Sequence, residues 1–201
     1  MIAVIDYDAG NMLSVVKALN HLGPEPVITR DEKIICAADK VILPGVGAFG
    51  DAMDKLNGYA LTDVIREVIS KGTPFLGICL GLQLLYNESE ESPGVAGIGV
   101  LDGVIRRIPA GEYKKIPHMG WNSLKFPNKG KLFSGISEGA YVYFVHSYYL
   151  DAKDKDTVTA TCDYNVSIDA SVESGNVFAC QFHPEKSGTV GLRILENFIN
   201  L

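Results

Sequence analysis

The sequence predicts an α/β fold with a mixed, mostly parallel central sheet that is flanked by helices and carries an added antiparallel layer. Two observations predict it. Up to about Tyr86, short β-branched runs alternate with helical patterns, which implies a parallel sheet covered on both faces. After Gly94, short strand-like runs are joined by Gly, Asn and Asp turns, which is typical of antiparallel pairing. Since no repeat, low-complexity tract or linker interrupts the 201 residues, we expect one domain over residues 1–201.

The first half alternates between the two patterns in chain order. Strands are expected at residues 2–6, 26–29, 40–43 and 74–78. A first helix is expected from apolar residues at helical spacing, namely Met12, Val15, Val16, Leu19 and Leu22. Further helices are expected after Phe49 and over residues 61–70.

The second half reads as a series of strands and one closing helix. The strands are expected at residues 99–108, 115–126, 141–150, 157–163, 168–173 and 177–183. The closing helix is expected over residues 189–200, with Ser187-Gly188 before it as a cap.

Composition excludes several classes of protein. With 18 Lys+Arg against 24 Asp+Glu, the net charge of −6 disfavours a nucleic-acid or anionic-membrane surface as the main function. The most apolar stretch, residues 75–86, is too short and too rich in Gly to span a bilayer. We expect no signal peptide, because the chain opens on a strand-like run without a basic flank. The four scattered cysteines form neither a disulfide framework nor a metal knuckle, so we expect a reduced, cytoplasmic protein.

The strongest local signal for chemistry is Gly77-Ile78-Cys79-Leu80-Gly81, which follows a hydrophobic strand and opens a helical pattern. This arrangement is typical of a nucleophile elbow with Cys in place of Ser. The two glycines permit a tight turn, and the N–H groups of the new helix favour a thiolate. The alternative is an unreactive buried cysteine at a strand end, which is the commoner environment of free Cys.

A nucleophilic cysteine needs a base, and His183 is the best candidate among the four histidines. It lies in Phe182-His183-Pro184-Glu185, where Pro184 favours an extended His183. Because residues i and i+2 of an extended chain point to the same side, Glu185 can hold the Nδ1 proton while Nε2 faces outward. The sequence therefore predicts a Cys79–His183–Glu185 triad. The alternative is a surface His and Glu at a strand end.

Two other segments have the spacing of a ligand site. Cys180-x-x-His183 has the spacing of a metal-ligand pair, but no Pro-Cys-x-x-Cys follows and Cys180 falls on the opposite strand face, so we expect no metal. Residues 45–50 match the Gly-x-Gly-x-x-Gly dinucleotide fingerprint. Its acidic partner is missing, since the candidates Asp63 and Glu67 lie in a helical segment. A backbone loop beside Cys79, donating N–H groups to an oxyanion together with Leu80, is the better interpretation.

Taken together, the motifs resemble a known family. Residues 77–83 with 181–185 resemble the class I, triad-type glutamine amidotransferases, whose flavodoxin-like fold fits the predicted layers. Residues 44–53, 117–122, 143–148 and 183–187 are similar to the glutaminase subunits of imidazole glycerol phosphate synthase, an enzyme of histidine biosynthesis. The resemblance covers the whole chain and implies no cofactor.

The resemblance also implies a role for each matching residue. It assigns catalysis to Cys79, His183 and Glu185. It assigns the oxyanion N–H groups to Leu80 and the Val46–Gly47 peptide, with a possible flip of the loop beforehand. The glutamine-holding positions are Gln83, Glu91, Ser147 and Tyr148. The partner-interface positions are Asn11, Trp121, Tyr143 and Lys186. Composition alone does not distinguish between a core and an interface position for Trp121.

The implied partner is a separate cyclase subunit, a β/α barrel, in a heterodimer. The glutaminase would supply ammonia, and the cyclase would convert a ribulosyl-carboxamide nucleotide (PRFAR) into imidazole glycerol phosphate and aminoimidazole carboxamide ribotide (AICAR). Two alternatives stay open on sequence alone. One is the glutaminase of another amidotransferase, as in anthranilate or pyridoxal phosphate synthesis. The other is a non-catalytic dinucleotide-binding module that uses residues 45–50.

Overall fold

The computed structural model describes residues 1–8, 12–111 and 115–201. The strands are β1 (Ile2–Ile5), β2 (Val27–Thr29), β3 (Lys40–Gly45), β4 (Phe75–Cys79), β5 (Glu88–Ser89), β6 (Gly103–Arg107), β7 (His118–Ser123), β8 (Tyr141–His146), β9 (Tyr148–Ala152), β10 (Val158–Tyr164), β11 (Val166–Ser174) and β12 (Val177–Cys180). The helices are α1 (Met12–His21), α2 (Glu32–Cys36), α3 (Phe49–Gly58), α4 (Leu61–Ser70), α5 (Leu80–Leu84) and α6 (Gly188–Ile199), with 3₁₀ turns at Lys131–Phe133, Lys155–Thr157 and Pro184–Lys186.

Most strands belong to one mixed sheet. Within the described ranges it has ten strands, in the order β2-β1-β3-β4-β12-β11-β9-β6-β5, and β10 pairs with β11. The pairs among β2, β1, β3, β4 and β12 are parallel, whereas β12–β11, β11–β9 and β9–β6 are antiparallel. The predicted fold class is confirmed. The structure adds that most antiparallel strands extend the parallel sheet edge to edge, while β7 and β8 form a separate two-stranded sheet.

Several elements differ from the sequence prediction, including the two-residue strand β5, which was not predicted. The strand expected at residues 141–150 is divided at Ser147 into β8 and β9, which belong to different sheets. The strand expected at residues 177–183 ends at Cys180, and Pro184 begins a 3₁₀ turn. The short helix α2 was not predicted, although Asp31 gives a local signal for it: its carboxylate accepts from the amides of Lys33 and Ile34.

Alternation along the central strands covers both faces of the sheet. Ala3 and Ile5 pack into one buried cluster with α3 and α4, whereas Ile2 and Val4 pack into a second cluster with α1 and α6. This two-sided burial explains why these strands consist of continuous apolar runs. No helix in the described part of the chain is long and apolar enough to cross a membrane.

The register brings three strand ends together. Gly45 of β3 pairs with Cys79 of β4, and Cys180 of β12 pairs with Ile78 of β4. The segments that leave β3, β4 and β12 therefore start side by side at the carboxyl edge of the parallel sheet. In open α/β sheets this edge is where ligands bind.

Candidate active site

Cys79 occupies the sharp turn between β4 and α5. Its backbone has φ 55° and ψ −108°, a strained conformation for a residue with a side chain. The flanking glycines are required by close approach, because a Cβ on Gly81 would lie 1.9 Å from the Leu43 carbonyl oxygen and one on Gly77 would lie 2.8 Å from that of Gly81. The turn has the features of a nucleophile elbow.

His183 and Glu185 form a buried pair in the segment after β12. His183 Nδ1 and Glu185 Oε1 are 2.8 Å apart, and the two side chains are 3% and 2% exposed. His183 is extended, as its place before Pro184 predicts. His183 Nε2 is buried and makes no hydrogen bond with the described residues, so this nitrogen is available for a reacting group.

The ionisation of His183 reflects its neighbours. Burial lowers its pKa, but Cys79 and then Glu185 outweigh burial, and the pKa rises to about 9. A histidine that interacts with both a thiol and a carboxylate can exchange a proton with the first while the second stabilises its charged form. The structure therefore brings Cys79, His183 and Glu185 together.

The turn that carries His183 is fixed to strand β8. The backbone amide of His183 donates to the Tyr143 carbonyl at 2.9 Å. Ser187 Oγ donates to the His183 carbonyl at 2.6 Å and accepts from the Tyr143 amide at 2.9 Å. Ser187 precedes α6 but makes no side-chain cap, contrary to the expected capping role, because its hydroxyl is used in this contact.

A cavity of about 310 Å³ opens in front of Cys79. Its lining residues are Val46, Gly47, Cys79, Leu80, Gln83, Glu91, Val145, His146, Ser147 and Tyr148. All of the predicted oxyanion and substrate residues are among them. The volume is at the lower end of the range for small-molecule sites, which suits a ligand of amino-acid size.

The predicted oxyanion loop is hydrogen-bonded at Pro44, whereas Val46 and Gly47 have free space around them. Tyr7 Oη is buried beneath it and donates to the Pro44 carbonyl at 3.0 Å. Burial, and then Cys79, raises the pKa of Tyr7, so its hydroxyl remains a donor. Gly47 has φ 109°, and no atom lies within 4 Å of where its Cβ would be. Val46 is 40% exposed.

Glu91 lines the cavity and lies on the acidic segment after β5. Its Oε2 accepts from the Phe49 amide at 2.8 Å, and Ser92 Oγ accepts from the Gly50 amide at 3.0 Å. These bonds fix Glu91 at the cavity wall. They also occupy the N-terminal amides of α3, where a dinucleotide-binding loop would hold its pyrophosphate. The geometry thus disfavours the dinucleotide alternative.

Gln181 is a site residue that the sequence analysis did not assign. Its side chain is buried, and its Nε2 donates to Cys79 Sγ at 3.7 Å. Its Oε1 accepts from Gln83 Nε2, which also donates to the Tyr148 carbonyl at 3.1 Å. The signal was available, because the i, i+2 rule from which the His183–Glu185 pair was predicted also predicts Gln181 on the side of His183.

Three of the four predicted interface residues belong to the described part of the chain: Trp121 and Lys186 are exposed, and Tyr143 is partly exposed. Trp121 is 55% exposed and packs edge-on against Tyr143, with ring centroids 6.1 Å apart. Lys186 is exposed and directly follows Glu185. Asn11 lies outside the described residues. The described part of the chain contains no cluster of three or more His, Cys, Asp or Glu side chains that could hold a metal ion.

Comparisons with known proteins find relatives that match almost the whole chain. Residues 3–201 match the model of the class I glutamine amidotransferase family. Imidazole glycerol phosphate synthase subunit HisH of Moorella thermoacetica is 53% identical over 98% of this chain and 93% of its own length. The subunit of the same name from Methanothermobacter thermautotrophicus is 50% identical over 100% and 98%, respectively.

Solved structures at lower identity support the fold alone. A glutamine amidotransferase crystal structure superposes with a TM-score of 0.78 at 21% identity, covering 100% of this chain and 98% of the other. The Thermotoga maritima PurLQS structure superposes with a TM-score of 0.76 at 24% identity, covering 99% and 97%. On the whole-chain matches, the protein belongs to the class I glutamine amidotransferases and, within them, to the HisH family of imidazole glycerol phosphate synthase subunits.

Proposed function

We propose that this chain is the glutaminase subunit of imidazole glycerol phosphate synthase, which hydrolyses glutamine and delivers ammonia to a cyclase subunit in histidine biosynthesis. The observation that carries the proposal is the buried His183–Glu185 pair, which interacts with a cysteine on a strained elbow. This combination serves nucleophilic acyl transfer, and the adjoining cavity is of amino-acid size.

In the first half-reaction, the Cys79 thiolate attacks the side-chain carboxamide carbon of glutamine. The carbonyl oxygen becomes an oxyanion, which accepts hydrogen bonds from the Leu80 amide and from the Val46–Gly47 peptide. His183 then gives its Nε2 proton to the departing nitrogen, and ammonia leaves a thioester on Cys79. Glu185 holds Nδ1 and stabilises the imidazolium before the transfer.

In the second half-reaction, water hydrolyses the thioester. His183, now neutral, removes a proton from water, and the hydroxide attacks the thioester carbon. Glutamate leaves, and the proton on His183 restores the starting state with the Cys79 thiolate. The balance is one glutamine and one water converted to one glutamate and one ammonia.

Four residues of the cavity wall are proposed to hold the glutamine. Gln83 lines the cavity with an amide and Glu91 with a carboxylate. Ser147 and Tyr148 line it where β8 ends and β9 begins. The carboxylate of Glu91 suits the α-ammonium group of the substrate. The amide of Gln83, already donating to the Tyr148 carbonyl, fixes the opposite wall.

The partner is proposed to be a β/α-barrel cyclase that converts PRFAR into imidazole glycerol phosphate and AICAR. It would dock on the face that presents Met119, Trp121 and Tyr141, which are 62%, 55% and 58% exposed. Clustered exposed aromatic and Met side chains are typical of protein interfaces. Tyr143 and Lys186 lie at this face beside the triad, and Asn11 is proposed to join them.

Glutaminase activity is proposed to be gated by the partner, because uncoupled hydrolysis would waste glutamine. Gly47 can change conformation at low cost, so the cyclase and its nucleotide can shift the loop at residues 44–47 into its active form. We further propose that residues 1–201 act as one domain and that the enzyme works in the cytoplasm, where the Cys79 thiol stays reduced.

The test is glutamine hydrolysis by the purified subunit, alone and with the cyclase and PRFAR. We expect strong activation by the complex. Cys79→Ala should abolish glutamine-dependent synthesis but leave synthesis from ammonium salts intact, with Cys36→Ala as the matched control. Full-speed turnover of the isolated subunit would refute gating. Activity only with a chorismate-utilising or pyridoxal-phosphate-forming partner would refute the assignment to this synthase.

A further inference from the structure

Two buried histidines beside the cavity have no part in the proposed chemistry. His118 of β7 is 2% exposed and His146 of β8 is 6% exposed. They face each other across the antiparallel pair, with His118 Nδ1 2.9 Å from His146 Nε2. Two buried imidazoles in contact are stable only if one of the facing nitrogens carries a proton and the other does not, because two charged rings or two facing protons would repel.

The surrounding acceptors determine where the protons lie. His146 Nδ1 is 2.8 Å from the Tyr148 carbonyl, which can only accept, so Nδ1 carries a proton. In the neutral ring Nε2 is then an acceptor, and His118 Nδ1–H must donate to it. His118 Nε2 becomes the next acceptor, 3.4 Å from the Asn122 amide nitrogen. The orientation of that amide is fixed because Asn122 Oδ1 accepts from the Ser123 amide at 2.8 Å.

Burial disfavours the charged form of both rings. His118 stacks between Phe144 and Tyr164, with ring centroids 4.6 and 3.9 Å away. Burial lowers the pKa of His146 to about 4, and the nearby His183 adds to this effect. A proton on His146 Nε2 would face the proton on His118 Nδ1. The hydrogen bonds therefore run in one direction, from His118 to His146 and from His146 to the Tyr148 carbonyl.

The hydrogen bonds continue on both sides of the pair. Toward the cavity, the Tyr148 carbonyl also accepts from Gln83, whose amide contacts Gln181 beside Cys79. Toward the surface, Asn122 lies in β7 next to Trp121. A single chain of contacts therefore runs from the exposed β7–β8 sheet to the nucleophile.

We propose that His118 and His146 are positioning residues for the glutamine subsite, which fix the Tyr148 carbonyl and through it Gln83. The inference rests on the proposed glutaminase function. His118 acts as a neutral donor to His146. Glutamine binding then depends on this hydrogen bond and not on the volume of the His118 ring.

The test compares two replacements of His118 in the complex with the cyclase. His118→Phe keeps an aromatic ring between Phe144 and Tyr164 but leaves His146 Nε2 without its donor. His118→Asn loses the ring and keeps an N–H near the Nδ1 position. We expect Phe to raise the KM for glutamine about tenfold, as for an unpaired buried acceptor, and Asn to raise it by less. Thermal stability should follow the opposite order, with Phe above Asn.

Two further readouts separate positioning from general damage. Synthesis from ammonium salts should be unchanged in both variants, and Cys79 of His118→Phe should react more slowly with a glutamine-analogue electrophile but normally with iodoacetamide. Tyr164→Phe is the control. It keeps the ring stacked on His118 and removes the hydroxyl, which donates to the Lys115 carbonyl at 2.6 Å, and its KM for glutamine should match that of the wild type. The inference would be overturned if the less stable variant, His118→Asn, had the higher KM, or if the KM of His118→Phe were unchanged. Absence of glutamine hydrolysis by the wild-type complex would instead refute the proposed function.

Discussion

The contribution of Glu185 can be worked out from the structure and tested by Glu185→Gln. The replacement keeps shape and an acceptor for His183 Nδ1, and removes only the charge. At 2.8 Å and an effective dielectric constant of about 20, two unit charges interact by roughly 6 kcal/mol. A neutral hydrogen bond keeps about half the strength of a charge-assisted one, so about 3 kcal/mol of stabilisation of the imidazolium should be lost.

A loss of about 3 kcal/mol corresponds to a decrease of roughly 100-fold in kcat for glutamine hydrolysis. The KM should change little, because Glu185 does not line the substrate cavity. The pKa of His183 should fall below about 9, since burial still lowers it while one of the two groups that raise it has lost its charge. The alkaline limb of the pH–rate profile should therefore move to lower pH.

The assay is steady-state hydrolysis of glutamine by the complex between pH 6 and 10, with synthesis from ammonium salts measured in parallel. Ammonia-dependent synthesis should be unaffected. Glu173→Gln is the matched control, because that carboxylate contacts Lys131 on another part of the fold. A decrease in kcat of less than threefold, with the pH profile unchanged, would refute the role assigned to Glu185.

Three further predictions concern the elbow, the pH dependence of stability and the interface. Gly81→Ala should destabilise the protein by about 3 kcal/mol or prevent folding, because its Cβ would clash with the Leu43 carbonyl oxygen. Gly58→Ala is the control: its Cβ would meet no atom, so the free energy of unfolding should be unchanged or slightly higher. Urea denaturation measures both. Stability should rise from pH 4 to 6.5, where unfolding exposes His146 to protonation, and fall from pH 6.5 to 9, where folded His183 retains a proton that the unfolded chain releases. Urea midpoints across this range check the sign, and His183→Gln should remove the alkaline decrease. Trp121→Glu should weaken cyclase binding at least tenfold by titration while leaving iodoacetamide labelling of Cys79 unchanged.

Local pattern was sufficient to select Cys79, His183 and Glu185 as candidates, and the structure brings these side chains together. Two glycines around Cys79 can be recognised as an elbow because the turn requires them by close approach. The His183–Glu185 pair was predicted from alternation and from the effect of Pro184 on the residue before it. The extended backbone of His183 agrees with the second argument, but the two side chains meet across a 3₁₀ turn that begins at Pro184 and not along an extended strand. The same rule could have identified Gln181. These signals extend over a few residues, so they do not depend on the tertiary fold.

The rest of the site depends on contacts between distant segments. Glu91 lies in an acidic run whose default interpretation is a solvated loop, and only its bond to the Phe49 amide fixes it at the cavity. The His118–His146 contact depends on the register of β7 and β8, which are joined by a long connection. The break at Ser147 has no local signal, because the aromatic pattern continues through it while the strand passes to another sheet.

The fold separates the nucleophile from the parts that a partner can influence. Cys79 and Leu80 lie at the end of a central parallel strand, whose neighbours on both sides are fixed by the main sheet. The base is fixed differently, because the turn of His183 is bonded to Tyr143 of β8, the strand that carries the exposed aromatic face. The cavity wall at Tyr148 is also bonded to β8, because the Tyr148 carbonyl contacts His146 of that strand. A protein docked on β7–β8 therefore contacts elements that position the base and the glutamine subsite, while the elbow keeps its geometry. Control by a partner can then act on the arrangement around Cys79 and leave the strained turn itself undisturbed.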